Sequence, residues 1–176
     1  MLRDLVIQAI SPLVGLPLVE AGRAADLTWW IFGKVEMVRD ATGREREWGE
    51  CHLHIMSPWR LRGPDGIVVG KGDMYWPRSG QPALDGFDWD VQGANRCDEL
   101  MKAFIESVGP VAVESAVGDD VGGIEVRFAG GSVLQVFPHC SLDGEHWRLL
   151  FREGRSVYLV GNQLGVTRRA RPRKVL

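Results

Sequence analysis

The residues best placed to do chemistry are two histidines, His52 and His54, spaced i and i+2. On a β-strand that spacing puts both imidazoles on one face, within reach of a single ion. No third ligand is supplied locally; Asp73 or Glu50 would have to fold in. A polar strand face is therefore the expected role of the pair, and no metal or other cofactor is expected. His139, Cys140 and His146 form a looser cluster after Phe137-Pro138, in no recognised zinc spacing. Asp85, Asp88 and Asp90 alternate in a loop, as calcium ligands do. The twelve-residue pattern with its closing Glu is missing, so a solvated acidic loop is expected. Gly66 to Gly72 resembles a phosphate loop, but three residues separate Gly66 from Gly70 where four are needed. No Ser or Thr follows Lys71. There is no Gly-x-Ser-x-Gly elbow. Cys51, Cys97 and Cys140 match neither a CxxC pair nor a nucleophile signature. No catalytic residue is expected, and a non-enzyme is favoured over an enzyme.

Candidates for binding are more numerous. Trp-Arg-Leu occurs twice, at Trp59-Arg60-Leu61 and Trp147-Arg148-Leu149. In a strand the Trp and Leu of each copy point inward and the Arg points out, to meet a carboxylate. Related by a twofold axis, Arg60 and Arg148 would instead line one groove and clamp an anionic partner. Seven tryptophans are present in 176 residues. Most are expected in the core, with Trp30 and Trp89 the candidates for a partner-binding surface.

Charge narrows the partner. Net charge is −2, but Arg168, Arg169, Arg171, Arg173 and Lys174 bring +5 to the C-terminus. Residues 1–167 therefore hold 16 basic against 23 acidic side chains, or −7. Such a body disfavours nucleic acid and suits a basic protein. The tail is expected to be frayed, or docked only by charge. Three cysteines with no pairing pattern point to reduced thiols in a cytoplasm. Pro12, Gly15 and Pro17 interrupt the apolar N-terminus, so neither a signal peptide nor a membrane span is expected.

The elements that must position these residues read as a duplication. At an offset of 94, Met1 to Asp26 lies on Asn95 to Asp120 with seven identities and no gap. Leu2, Leu5, Val6, Ala9, Ile10 and Leu13 recur with helical period, and Pro12 stops that helix near Ser11. Asn95 caps a second helix over 95–107, with Cys97, Leu100, Met101, Phe104, Ile105 and Val108 on one apolar stripe. Alternating strands follow each helix: Trp29–Met37 and Cys51–Met56 in the first half, His146–Phe151 and Ser156–Val160 in the second. Gly123–Phe128 and Ser132–Phe137 form a hairpin about Ala129-Gly130-Gly131. The expected fold is α+β, internally duplicated, with two helix-plus-antiparallel-sheet halves related by a pseudo-twofold and each sheet covered by its own helix. Residues 1–176 form one body, with repeats at 1–76 and 94–165, a connecting loop at 77–93, and a basic tail at 166–176.

Gly122–Phe151, with its hairpin ending in Phe137-Pro138 and its acidic-x-Trp-Arg-Leu stretch, resembles a family of uncharacterised small bacterial proteins. "HLHIMSPWRLRGPDGIVVGKGDMYWP" shares in the resemblance, which implies no activity. The resulting expectation is a cytoplasmic bacterial binding protein that engages another protein, as an immunity-type or accessory factor. A homodimer is compatible with it. The competing expectation is a small-ligand or metal-dependent enzyme with its site in a cleft between the halves.

Overall fold

A computed structural model describes residues 1–39, 42–81, 86–168 and 173–174. Helix α1 (Leu2–Ile10) buries Val6, Ala9 and Ile10 along one stripe. Pro12 turns its end into a short 3-10 segment that buries Leu13. Helix α2 (Arg96–Val108) begins at Asn95, whose side chain accepts the Asp98 N–H at 2.9 Å. That bond satisfies one of the free amides of the first turn. Asp98 and Glu99 add favourable charge there. Gly109, at φ 60°, ends the helix.

The strands are β1 (Pro17–Ala24), β2 (Leu27–Phe32), β3 (Glu36–Arg39), β4 (Glu45–Trp48), β5 (Cys51–Ile55), β6 (Trp59–Gly63) and β7 (Gly66–Gly70). After α2 come β8 (Val111–Gly118), β9 (Ile124–Phe128), β10 (Val133–Val136), β11 (Glu145–Phe151), β12 (Arg155–Val160), β13 (Gln163–Arg168) and β14 (Arg173–Lys174). Eleven of them form one antiparallel sheet in the order β13-β12-β11-β5-β2-β1-β8-β9-β10-β6-β7; β14-β3-β4 form a second, small sheet. The expected strand over 29–37 is broken at Gly33. Its φ of 80° and its N–H bond to the Pro17 carbonyl, at 2.8 Å, turn the chain into β3.

The α+β arrangement of two helix-plus-sheet halves is not what the chain builds. Its body is mainly one antiparallel sheet, and neither half closes on itself. The hairpin β6–β7 pairs onto β10 of the second half, while β11–β12 pair onto β5 of the first. The helices cross over too: α1 packs on β8 and α2 on β1. Periodicity specifies the inward face of a hairpin but not the edge it docks on. Any apolar surface of the right curvature satisfies a helix stripe, so the helix of the same half has no privilege. The tail also differs from expectation, since Arg173 and Lys174 pair with Arg39 and Val38 to make β14 a strand of the small sheet. Arg169 and Arg171 lie outside the described residues. No described helix is long and apolar enough to cross a membrane.

Candidate binding cleft beside the second helix

β1 and β8 pair only at Pro17↔Ala112 and Leu18↔Val111. Beyond that point no strand among the described residues lies beside the β1 edge, and α2 lies alongside instead. An open cleft of about 710 Å³ separates the two, walled by Glu20, Gly22 and Trp29 on one side and Met101, Lys102 and Glu106 on the other. Gly22 stands opposite Trp29 in the β1–β2 register. A Cβ there would come within 2.4 Å of the indole Cζ2, so the glycine lets the ring lie over the strand. Glu20, opposite Ile31, projects from the same face as the diagonal neighbour of Trp29, a backbone separation of about 7–8 Å.

Most charges around this cleft are already spent. Arg23 is 3% exposed and grips Asp98 in bidentate fashion, Nε to Oδ1 at 2.7 Å and Nη2 to Oδ2 at 2.9 Å. It also donates to the carbonyls of Ala25 and Val91 at 3.2 and 3.1 Å, stitching β1 to α2 and the preceding loop. A buried ion pair so fully hydrogen-bonded holds the architecture together, and breaking it strands a charge. Glu99 is held by Arg96 at 2.7 Å and Glu106 by Lys102 at 3.8 Å. Glu20 has no cationic partner among the described residues. Partial burial, and then the negative charge of Glu47, raise its carboxyl above the ordinary range. Arg78, exposed and part of the lining, also finds no acid among the described residues.

From Trp29 a row of side chains runs across the outer face of the sheet: Trp29, His54, Arg148 and Tyr158, each opposite the next. Arg148 donates from Nε to Glu145 at 2.8 Å and lies 4.8 Å over the Tyr158 ring. Burial, then the Arg148 charge, lower the His54 imidazole below its usual range. In the next row His52 stacks on Trp48 at 4.2 Å and accepts the Gly49 N–H at Nε2, 3.1 Å away. Burial first, then His54 and Arg46, lower it to about 4. The two histidine rings stand 6.3 Å apart, and no cluster of three metal-ligating side chains occurs among the described residues.

The residues singled out from sequence are scattered. Arg60 and Arg148 stand on β6 and β11, with six strands between them in the sheet order. They share no partner, for Arg60 donates to Gln135 at 2.8 Å and lies 5.1 Å over Phe137. Trp30 does not face a partner; it is fully buried, edge-on to Trp59 at 5.4 Å. Trp89 is half-buried, with its ring 5.6 Å from Tyr75 and its carbonyl accepting from Asn95. Asp88 accepts the Asp90 N–H and Asp90 lies 3.7 Å from Arg23; Asp85 is outside the described residues. Lys71 is drawn to the Met56 carbonyl and lies 3.8 Å from Asp26.

The arrangement most like catalytic machinery was not foreseen. Ser57 Oγ and His146 Nδ1 are 2.7 Å apart, and His146 Nε2 is 3.1 Å from the Cys140 carbonyl, which holds the ring. Yet Ser57 is 0% and His146 1% exposed, so no substrate reaches them. The His146 carbonyl also accepts the N–H groups of Met56 and Ser57 at 3.0 and 3.1 Å. The group is a latch where the exchanged hairpins pass one another. Burial likewise raises the Cys51 thiol, and raises Cys97 to about 12, leaving neither a ready thiolate. Trp29 and Glu20, the core of the cleft, were missed as a site. The signal available was a glycine and a tryptophan on adjacent strands, legible only once their register is known. Comparison with protein-family models, curated proteins and solved structures finds no match to this chain.

Proposed function

We propose that this chain is a binding protein that engages a basic protein partner and performs no catalysis. The observation that carries the reading is the cleft beside α2, where an aromatic wall and a carboxylate with no cationic partner among the described residues lie open. The −7 carried by residues 1–167 supports it, because like-signed charge across a body steers an oppositely charged partner and makes association salt-dependent. The enclosure of the Ser57–His146 pair argues in the same direction. In this reading the protein works in a bacterial cytoplasm as an accessory or immunity-type factor that masks its partner. Titration calorimetry with a decapeptide of alternating Arg and Gly, against the same peptide with Glu for Arg, tests it. Binding of the cationic peptide alone, weakening steeply with salt, is expected. Indifference to the cationic peptide, or retention of duplex DNA at physiological salt, overturns the reading.

A further inference from the structure

We infer that the cleft between α2 and the β1 edge receives an arginine side chain of the partner, its guanidinium laid on Trp29 and gripped by Glu20. The inference rests on the proposed binding of a basic protein and names the place and the group. The molecule shows the arrangement repeatedly with its own arginines. Among the described residues Arg46 lies 4.3 Å over Trp48, Arg60 5.1 Å over Phe137, Arg148 4.8 Å over Tyr158 and Arg155 3.8 Å over Phe151. Two of these stacks carry a carboxylate as well, Glu145 on Arg148 and Glu153 on Arg155. Trp29 with Glu20 repeats that pair of ring and acid, but no guanidinium from the described residues lies over the ring. Gly22 makes room for the indole, which lines the cleft, and Glu47 adds negative charge beside Glu20. A planar guanidinium both stacks on an aromatic face and forks onto a carboxylate; an ammonium does the second less well. A cleft of about 710 Å³ admits such a side chain together with the backbone that bears it. The opposing group is Arg78, whose charge works against an incoming cation.

The full chain is titrated with the Arg-Gly decapeptide while the indole N–H signals are followed by nuclear magnetic resonance. The Trp29 signal, assigned by its loss in Trp29→Phe, should move most. Glu20→Gln and Trp29→Ala should each weaken binding roughly tenfold, with unchanged melting temperature in Glu20→Gln as the control for folding. Arg78→Gln should tighten binding about two- to fivefold, and a Lys-Gly decapeptide should bind less well than the arginine peptide. If the wild-type chain ignores the peptide, the proposed function falls with this inference. If it binds but Glu20→Gln and Trp29→Ala bind equally well, only the cleft assignment falls. The assignment also falls if Arg169→Gln with Arg171→Gln raises affinity tenfold, since the chain's own tail would then be the occupant.

Discussion

The two strands at the centre of the sheet part after two paired residues, and the gap is filled differently on each side. Along β8, α1 presses Val6 onto Gly118 so closely that a Cβ there would stand 2.5 Å from the valine side chain. Both residues are buried and no space remains. Along β1, α2 stands off and leaves the cleft. Gly22 is covered there by Trp29 of the neighbouring strand, not by the helix. A glycine pinned by a stiff β-branched side chain seals a core. A glycine under an indole at the surface makes a platform, because the ring keeps one face free.

Substitutions that reach the sealed interior should cost far more than those on the platform. Trp147 is fully buried, and its indole N–H donates to the Gly122 carbonyl at 2.8 Å. Trp147→Ala should lose about 3–5 kcal/mol in chemical denaturation. Trp29→Ala, at a half-buried ring beside the cleft, should lose less, about 1–2 kcal/mol. Equal losses would abolish the distinction between core and platform.

Acid should act next most strongly, through the histidines near the platform and at the latch. The unfolded chain protonates His52 near 6.5, whereas the folded protein resists until about 4. Between those values the unfolded state binds more protons, so stability is full above 6.5 and falls as pH drops through the window. The loss from His52 is about 3 kcal/mol by pH 4. His54 and His146, also lowered by burial, add in the same sense. Glu20, raised in the folded state, opposes them in part, being exposed. His52→Gln should flatten this part of the stability–pH curve; an unchanged slope would show that His52 is not the group titrating.

A smaller effect separates the glycines themselves. Gly118→Ala forces α1 away from β8 and should cost about 1–3 kcal/mol. In Gly22→Ala the new methyl meets the Trp29 indole first, a side chain at an open cleft, so melting should change less than in Gly118→Ala while binding of the cationic peptide is lost. If Gly22→Ala unfolds the protein and Gly118→Ala does not, the roles assigned to the two edges are reversed. The smallest effect expected is none: a chelator should leave the melting curve unchanged, since a structural metal would couple directly to folding.

Several local features could be read before any tertiary information. Asn95 is a cap by its side-chain chemistry and its place before an acidic first turn. Pro12 ends α1 because of its ring. Ala129-Gly130-Gly131 turns a hairpin because Gly130 and Gly131 take positive φ, 84° and 86°. Trp59 and Trp147 point inward, with an arginine pointing out after each, since a strand alternates. The candidate site was far less legible. Strand alternation put Trp29 and Trp30 on opposite faces of β2, but nothing in that period says which face meets the core. Trp30, a partner candidate by sequence, is buried, while Trp29 is half-buried and lines the cleft.

By itself the sequence determined where helices begin and stop, which residues alternate, and that the body is acidic with a basic end. These depend on neighbours a few positions apart, where backbone geometry and side-chain chemistry act directly. The tertiary structure alone decided that β6–β7 and β11–β12 change places, that each helix packs on the strand of the other half, and that Glu20 and Trp29 line one cleft beside α2. Those are choices among edges and faces of nearly equal local merit. They are settled by which arrangement buries the most apolar surface with its hydrogen bonds made, a property of the whole chain and of no segment within it.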